Sequence, residues 1–136
     1  LTALKVASLS GVDVQIVLPH RSDSKIVYWA SRSYIGELLE AGIKVYFYCK
    51  GFNHSKLIIV DDTFCSVGSA NMDIRSFEDN FEITAIMYDQ KSIEELTGYF
   101  MEDIGNCVPM TPEAWEGRSN LHAAYESLAR LLSPLL

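Results

Sequence analysis

Hydrophobic residues recur along this chain with two different periods, and the switches between them mark its elements. Within residues 1–10, Leu4, Val6, Ala7 and Leu9 form a helical patch that Gly11 ends. Residues 12–18 alternate and then run apolar, which predicts a strand. A loop over 19–24 leads into a helix over 25–40, with Ile26, Trp29, Tyr34, Leu38 and Leu39 at apolar positions and Gly42 as its stop. Residues 43–48 read as a strand, Lys50-Gly51-Phe52 as a turn, and 53–60 as a further strand. Asp61-Asp62 links that strand by a hairpin to another over 63–67. Residues 72–77 are irregular or a single turn, and 81–88 are a strand. Ser92-Ile93-Glu94-Glu95 reads as a capping box that opens a helix to about residue 104. Thr111-Pro112-Glu113 starts a short turn or helix.

The last helix spans 120–132 and ends at Ser133-Pro134. It carries Leu121, Ala124, Tyr125, Leu128, Leu131 and Leu132 on one stripe. Packing on the sheet or on another domain is the favoured use of that stripe. An interfacial membrane helix is the alternative, weakened because Arg118 and Arg130 are the only nearby basic residues. Alternating strands and helices followed by a hairpin predict an α/β fold, a mixed β-sheet flanked by helices, in a single domain over 1–136. No repeat, low-complexity tract or linker interrupts it.

Composition narrows the partners. With 136 residues, 49% of them hydrophobic, the chain can build one core. A net charge of −7 argues against a non-specific nucleic-acid binder, because a polyanion is repelled overall. The local cluster His20, Arg21, Lys25 and Arg32 still suits an anionic lipid head group. Cys49, Cys65 and Cys107 are odd in number and lack metal-ligand spacing, so they read as buried thiols of a reducing compartment. No apolar run is long enough to span a bilayer. A start without Met, inside a predicted helix, leads one to expect a piece of a longer protein.

The chemistry is concentrated in His54-Ser55-Lys56-Leu57-Ile58-Ile59-Val60-Asp61 and Gly68-Ser69-Ala70-Asn71, a pattern H-x-K-x4-D-x6-G-S-x-N. On a strand, His54 and Lys56 project to one face and Leu57 and Ile59 to the other. Imidazole can attack phosphorus or protonate a leaving alkoxide near neutral pH, and the spacing does not choose between these roles. The Lys56 ammonium can hold a non-bridging phosphate oxygen, and Asn71 and the Ser69 hydroxyl can donate to the same phosphate. Gly68 allows a close backbone approach. The lysine charge and the asparagine N–H dipoles offset the phosphate charge in this scheme, so neither a metal nor a cofactor is called for. Alone, a histidine at the start of a strand is more often a satisfied surface residue, and Lys56 a solvated charge. Their joint spacing favours a site.

The motif resembles that of the phospholipase D superfamily. Further strings look like the C-terminal catalytic half of the bacterial cardiolipin synthases. They include Ser22-Asp23-Ser24-Lys25, Leu38-Leu39-Glu40-Ala41-Gly42 and Gly68-Ser69-Ala70-Asn71-Met72-Asp73-Ile74-Arg75-Ser76-Phe77, and the ending Ala129 to Leu136. The resemblance implies phosphatidyl transfer between two phosphatidylglycerol molecules through a phosphatidyl-histidine, giving cardiolipin and glycerol. It implies that Glu82 orients the histidine and that Asp61 is a structural turn or ion-pair residue. Arg75, Ser76 and Asn80 complete the extended pattern without an assigned step. The complete enzymes carry two such motifs, and this chain has one. The resemblance therefore makes His54 half of a site, the second-half histidine, which it favours as the general acid and base with the nucleophile in the first half. The partner is then a missing N-terminal half with its own motif, or a second copy. It also places the full-length protein at the bacterial cytoplasmic membrane, with this domain on the aqueous side. A hydrolytic phosphodiesterase of the same superfamily and a non-catalytic supporting half are the rival readings.

Overall fold

Glycines with left-handed backbones end two of the helical stretches, at the positions the sequence predicts. In chain order the elements are α1 (Thr2–Leu9), β1 (Gln15–Pro19), α2 (Lys25–Arg32), α3 (Ile35–Glu40), β2 (Lys44–Tyr48), β3 (Leu57–Val60), β4 (Phe64–Gly68), α4 (Ile74–Glu78), β5 (Thr84–Met87), α5 (Gln90–Gly105), β6 (Cys107–Met110), α6 (Pro112–Glu116) and α7 (Asn120–Leu132). This computed structural model describes residues 1–22 and 24–133. Asp23 of the loop before α2 and Pro134, expected to stop α7, lie outside the described residues, as do Leu135 and Leu136. After α1, Gly11 at φ 96° lets its own N–H reach Ser8 O and the Val12 N–H reach Ala7 O. After α3, Gly42 at φ 80° repeats the pattern, with Gly42 N–H to Leu39 O and Ile43 N–H to Leu38 O. Both are Schellman ends, which need the conformational freedom of glycine.

The α/β class holds, and the strands divide between two three-stranded sheets, β1-β2-β6 and β3-β4-β5. The first belongs to a compact unit of residues 1–52 and 106–133, the second to a unit of residues 53–105.

In the first unit, β2 is central, parallel to β1 and antiparallel to β6. Its alternation buries Val45 and Phe47, and the core adds Ile35, Leu38 and Ala41, Ile43, and Trp115 from α6. Leu4, Ile16, Leu18 and Met110 pack around this cluster. Each large side chain so buried contributes about 1.5–3 kcal/mol against the entropy of ordering the chain. The strand β6 escaped the sequence reading because it is four residues long and contains Pro109. Proline is tolerated there because β6 is an edge strand, bonded only to β2.

The helix expected over 25–40 is broken at Ser33 and Tyr34. The Ser33 hydroxyl donates to Ala30 O at 2.6 Å, and Tyr34 N–H takes Ser31 O at 3.4 Å. Serine competes for the backbone acceptors and the turn tightens.

The leucine stripe of α7, expected to pack on the sheet or on another domain, does not pack on the sheet of this chain. The helix lies on α2 with the face that buries Glu126 and Ala129, joined by Tyr125 from the stripe, while Leu121, Leu128 and Leu131 are 60%, 63% and 76% exposed. Polar partners select that face. The Glu126 carboxylate accepts from Arg118 Nε at 2.9 Å, Arg130 bonds Glu37 and stacks on Tyr34, and His122 and Tyr125 meet Trp29. Among the described residues no helix is long and apolar enough to cross a membrane.

In the second unit, β4 pairs antiparallel with both β3 and β5. The hairpin turn is Asp61-Asp62-Thr63, with Asp61 at φ 45° and Thr63 N–H bonded to Val60 O at 3.0 Å. The helix α5 lies against β3 and β4 and buries Ile93. Its cap is Asp89, whose Oδ1 accepts from Ser92 N–H at 2.9 Å, so the helix opens before the expected Ser92.

Candidate active site

The motif histidine and lysine precede their strand rather than lie on it. β3 starts at Leu57, because the Asn53 carboxamide oxygen captures the Ser55 N–H at 2.9 Å and its hydroxyl at 2.6 Å. Such an Asx-turn bends the backbone where an extended run was expected. Asn53 Nδ2 reaches Asp103 of α5 at 3.3 Å, tying the segment to the helix. His54 is exposed and Lys56 half-buried. The Lys56 carbonyl accepts from Gly68 N–H at 3.1 Å, which extends the β3–β4 ladder by one position and sets Lys56 opposite Gly68. Lys56 Nζ donates to His54 O at 2.8 Å. Burial pushes the Lys56 pKa down, against the opposing pull of the Glu82 and Asp73 charges.

Gly68 is required by close approach rather than by a turn. A Cβ there would stand 2.4 Å from Thr84 Oγ1 and 2.5 Å from Ile83 O, and its φ is not left-handed. The chain beyond it is stitched to the segment before β5. Ser69 N–H donates to Ile83 O at 2.9 Å, and Ile83 N–H donates to Ser69 Oγ at 3.0 Å.

Glu82, expected on a strand, also lies just ahead of its strand, two residues before β5. Its carboxylate sits in a cradle of hydroxyls. Ser69 Oγ donates to Oε2 in a short bond. Ser76 Oγ donates to Oε1 at 3.0 Å, and Asn80 Nδ2 adds a longer contact to the same oxygen at 3.4 Å. These hydroxyls, Ser69 first and then Ser76, hold the Glu82 carboxyl below its usual range, with Lys56 adding a smaller pull. A carboxylate has about four acceptor positions, so the three in use leave one, on Oε2.

Ser76, one of three pattern residues with no assigned step, has a task in the fold. It is buried, and one hydroxyl serves two partners, accepting from Asn71 N–H at 3.1 Å while donating to Glu82. Its own N–H goes to Asp73 Oδ1 at 2.8 Å, the N-cap of α4. Asn71 and Glu82 are therefore coupled through one buried serine. Asp73, three residues before Ser76, was the available sequence signal, being a cap spacing.

The structure thus gathers Lys56, Gly68, Ser69, Asn71 and Glu82 at one end of one antiparallel sheet, with the His54 backbone carbonyl bonded to Lys56 Nζ. Asp61 is at the other end of β3, roughly 13 Å along a four-residue strand, in an exposed turn. Among the described residues no group of three or more His, Cys, Asp or Glu side chains is placed to hold a metal ion.

Comparison with known proteins bears on this arrangement. The family described as cardiolipin synthase, PLD-like domain, matches residues 1–104. Proteins called cardiolipin synthase from Geobacillus sp. (strain WCH70) and Listeria innocua are 53% and 46% identical over all 136 residues. The chain spans only 27% and 28% of their lengths. Among solved structures, Nuc from Salmonella typhimurium, described as a phospholipase D family member, is similar with a TM-score of 0.68 and 26% identity over 81% of this chain and 72% of that one. NucT from Helicobacter pylori gives 0.58 and 26% over 80% and 72%.

Proposed function

Because the chain belongs to the family of cardiolipin synthase phospholipase D-like domains, we propose that residues 1–136 form one catalytic half of a phosphatidyltransferase. In this reading it is the second, C-terminal half of a longer two-motif enzyme working at a membrane surface. The first step bonds an imidazole nitrogen to the phosphorus of one phosphatidylglycerol. The phosphorus–oxygen bond to glycerol breaks, and an imidazolium protonates the departing alkoxide. In the second step a hydroxyl of another phosphatidylglycerol gives its proton to the imidazole that protonated the glycerol, its oxygen bonds to the phosphorus of the phosphatidyl-histidine, and the nitrogen–phosphorus bond breaks. Cardiolipin leaves and the imidazole is restored.

His54 takes the acid–base part, and the nucleophile comes from the other half or a second copy. Lys56 and the Asn71 side chain hold the non-bridging oxygens. Glu82 offers the free position on Oε2 to the His54 ring. Ser69, expected to donate to phosphate, works instead through Glu82, to which its hydroxyl proton is directed. Ser76 positions Glu82 and Asn71 together.

The observation that carries this reading is the convergence of Lys56, Ser69, Asn71 and Glu82 at one sheet end, in a chain similar along its whole length to proteins called cardiolipin synthase. The acidity of the chain favours a lipid over a nucleic-acid substrate. The test follows cardiolipin and glycerol release from phosphatidylglycerol micelles, with chelator, for the full-length protein and its His54→Ala variant. Cardiolipin from the unmutated protein alone, with a loss of about 10²–10⁴-fold in the variant, is expected. Unchanged turnover in His54→Ala removes the catalytic assignment. Phosphatidic acid in place of cardiolipin makes the enzyme a hydrolase.

A further inference from the structure

Three arginines of the first unit lie over aromatic rings. Arg118 stacks on Trp115 at 4.0 Å and holds the Glu126 carboxylate. Arg130 stacks on Tyr34 at 4.7 Å and holds Glu37. Arg32 stacks on two rings, Tyr28 at 4.6 Å and Phe47 at 4.5 Å, yet among the described residues no carboxylate is within ion-pair distance of it. Its Nε is buried, without a hydrogen-bond partner among the described residues. Leaving a charged donor buried and unmet is costly, and native proteins seldom do so without a reason.

Arg32 lines a small open cavity with Leu18, Ser22, Tyr28, Ser31 and Phe47. The two rings fix the guanidinium plane, so little side-chain freedom remains to be lost on binding. A planar fork held in that way suits an oxyanion with two accepting oxygens.

We infer that Arg32 is the anchor of a phosphate-ester site in the first unit, taking through its guanidinium edge the acceptor that Glu126 and Glu37 supply to the other two stacked arginines. The choice of phosphate rests on the proposed function, and the anion site itself rests on Arg32. The same chemistry is offered by a phospholipid head group and by free phosphate.

The experiment follows the Arg32 Nε–H resonance by ¹H–¹⁵N spectroscopy of the chain. The probes are inorganic phosphate, glycerophosphoglycerol, and dihexanoyl-phosphatidylglycerol below its micelle concentration. A saturable shift is expected, with affinity reduced about ten- to a hundred-fold in Arg32→Gln. Arg32→Lys keeps the charge, loses the fork, and falls between. Equal response to all probes makes phosphate the whole ligand, whereas response to the two glycerol esters alone makes it a head group. An Arg32 resonance that none of the probes moves overturns the inference, as does undiminished binding by a folded Arg32→Gln. Should Arg32→Gln not fold, the unmutated resonance still decides. The readout is independent of turnover, so a loss of activity in His54→Ala beside a silent Arg32 refutes only this site.

Discussion

Gly68→Ala measures how closely the chain must approach itself to build the candidate site. The added methyl meets Thr84 Oγ1 at 2.4 Å, Ile83 O at 2.5 Å and Thr84 Cα at 2.8 Å. Two of these atoms are backbone, and Thr84 is the direct cross-strand partner of Gly68, so no side-chain rotation relieves the contact. The start of β5 has to retreat. Overpacking of this kind costs about 1–3 kcal/mol. The retreat also strains the paired bonds between Ser69 and Ile83, at 2.9 and 3.0 Å, and losing one adds about 0.5–1.5 kcal/mol. The sum is about 1.5–4.5 kcal/mol, or about 5–14 °C in Tm at this chain length. Urea denaturation followed by circular dichroism measures it. Gly51→Ala is the control, since a Cβ there meets nothing within 4 Å, and it should change stability by no more than about 0.5 kcal/mol. If Gly68→Ala is no more damaging than Gly51→Ala, the close-approach argument is wrong.

The packing of α7 gives a paired prediction: Glu126→Ala should cost about 1–3 kcal/mol by leaving Arg118 without its carboxylate, a figure discounted because Arg118 is partly exposed. Leu128→Ala, on the outward stripe, should cost no more than about 0.5 kcal/mol in this chain, and the reverse order in denaturation midpoints would refute the assigned face. Glu37 predicts a pH dependence. Hydrogen bonds from Lys5 and then Arg130 hold its pKa below the ordinary 4.5. The folded value is below the unfolded one, so the stabilisation is present above about pH 4.5 and is lost as the pH falls through the folded value. Glu37→Gln should therefore be less stable than the unmutated chain at pH 7, and the gap should narrow near pH 3; a constant gap would show that the pairs contribute nothing through charge.

Local chemistry was enough for much of this protein. The glycine stops at Gly11 and Gly42, the Thr111 cap, the Asp61-Asp62 hairpin and the alternation of β2 act over a few neighbouring residues, and the sequence displays them directly. The motif spacing singled out His54, Lys56, Ser69 and Asn71 for the same reason, since the pattern is read from neighbouring residues; that the Ser69 hydroxyl turns to Glu82 is visible only in the fold. Four features depended on partners distant in sequence. β6 exists because β2 offers it an edge, despite Pro109. Glu126 and Arg130 outbid the leucines for the inner face of α7, because Arg118 and Glu37 wait there to pair with them. Glu82 is held by Ser69 and Ser76, and Ser76 gains its task only when Asn71 and Glu82 are brought to opposite sides of one hydroxyl. Gly68 is forced by a neighbouring strand and not by its own backbone angles. Periodicity reports how much apolar surface a segment can bury. Which surface it does bury is decided by the buried charges and hydroxyls, which must find specific partners, and only the folded chain determines where those partners stand.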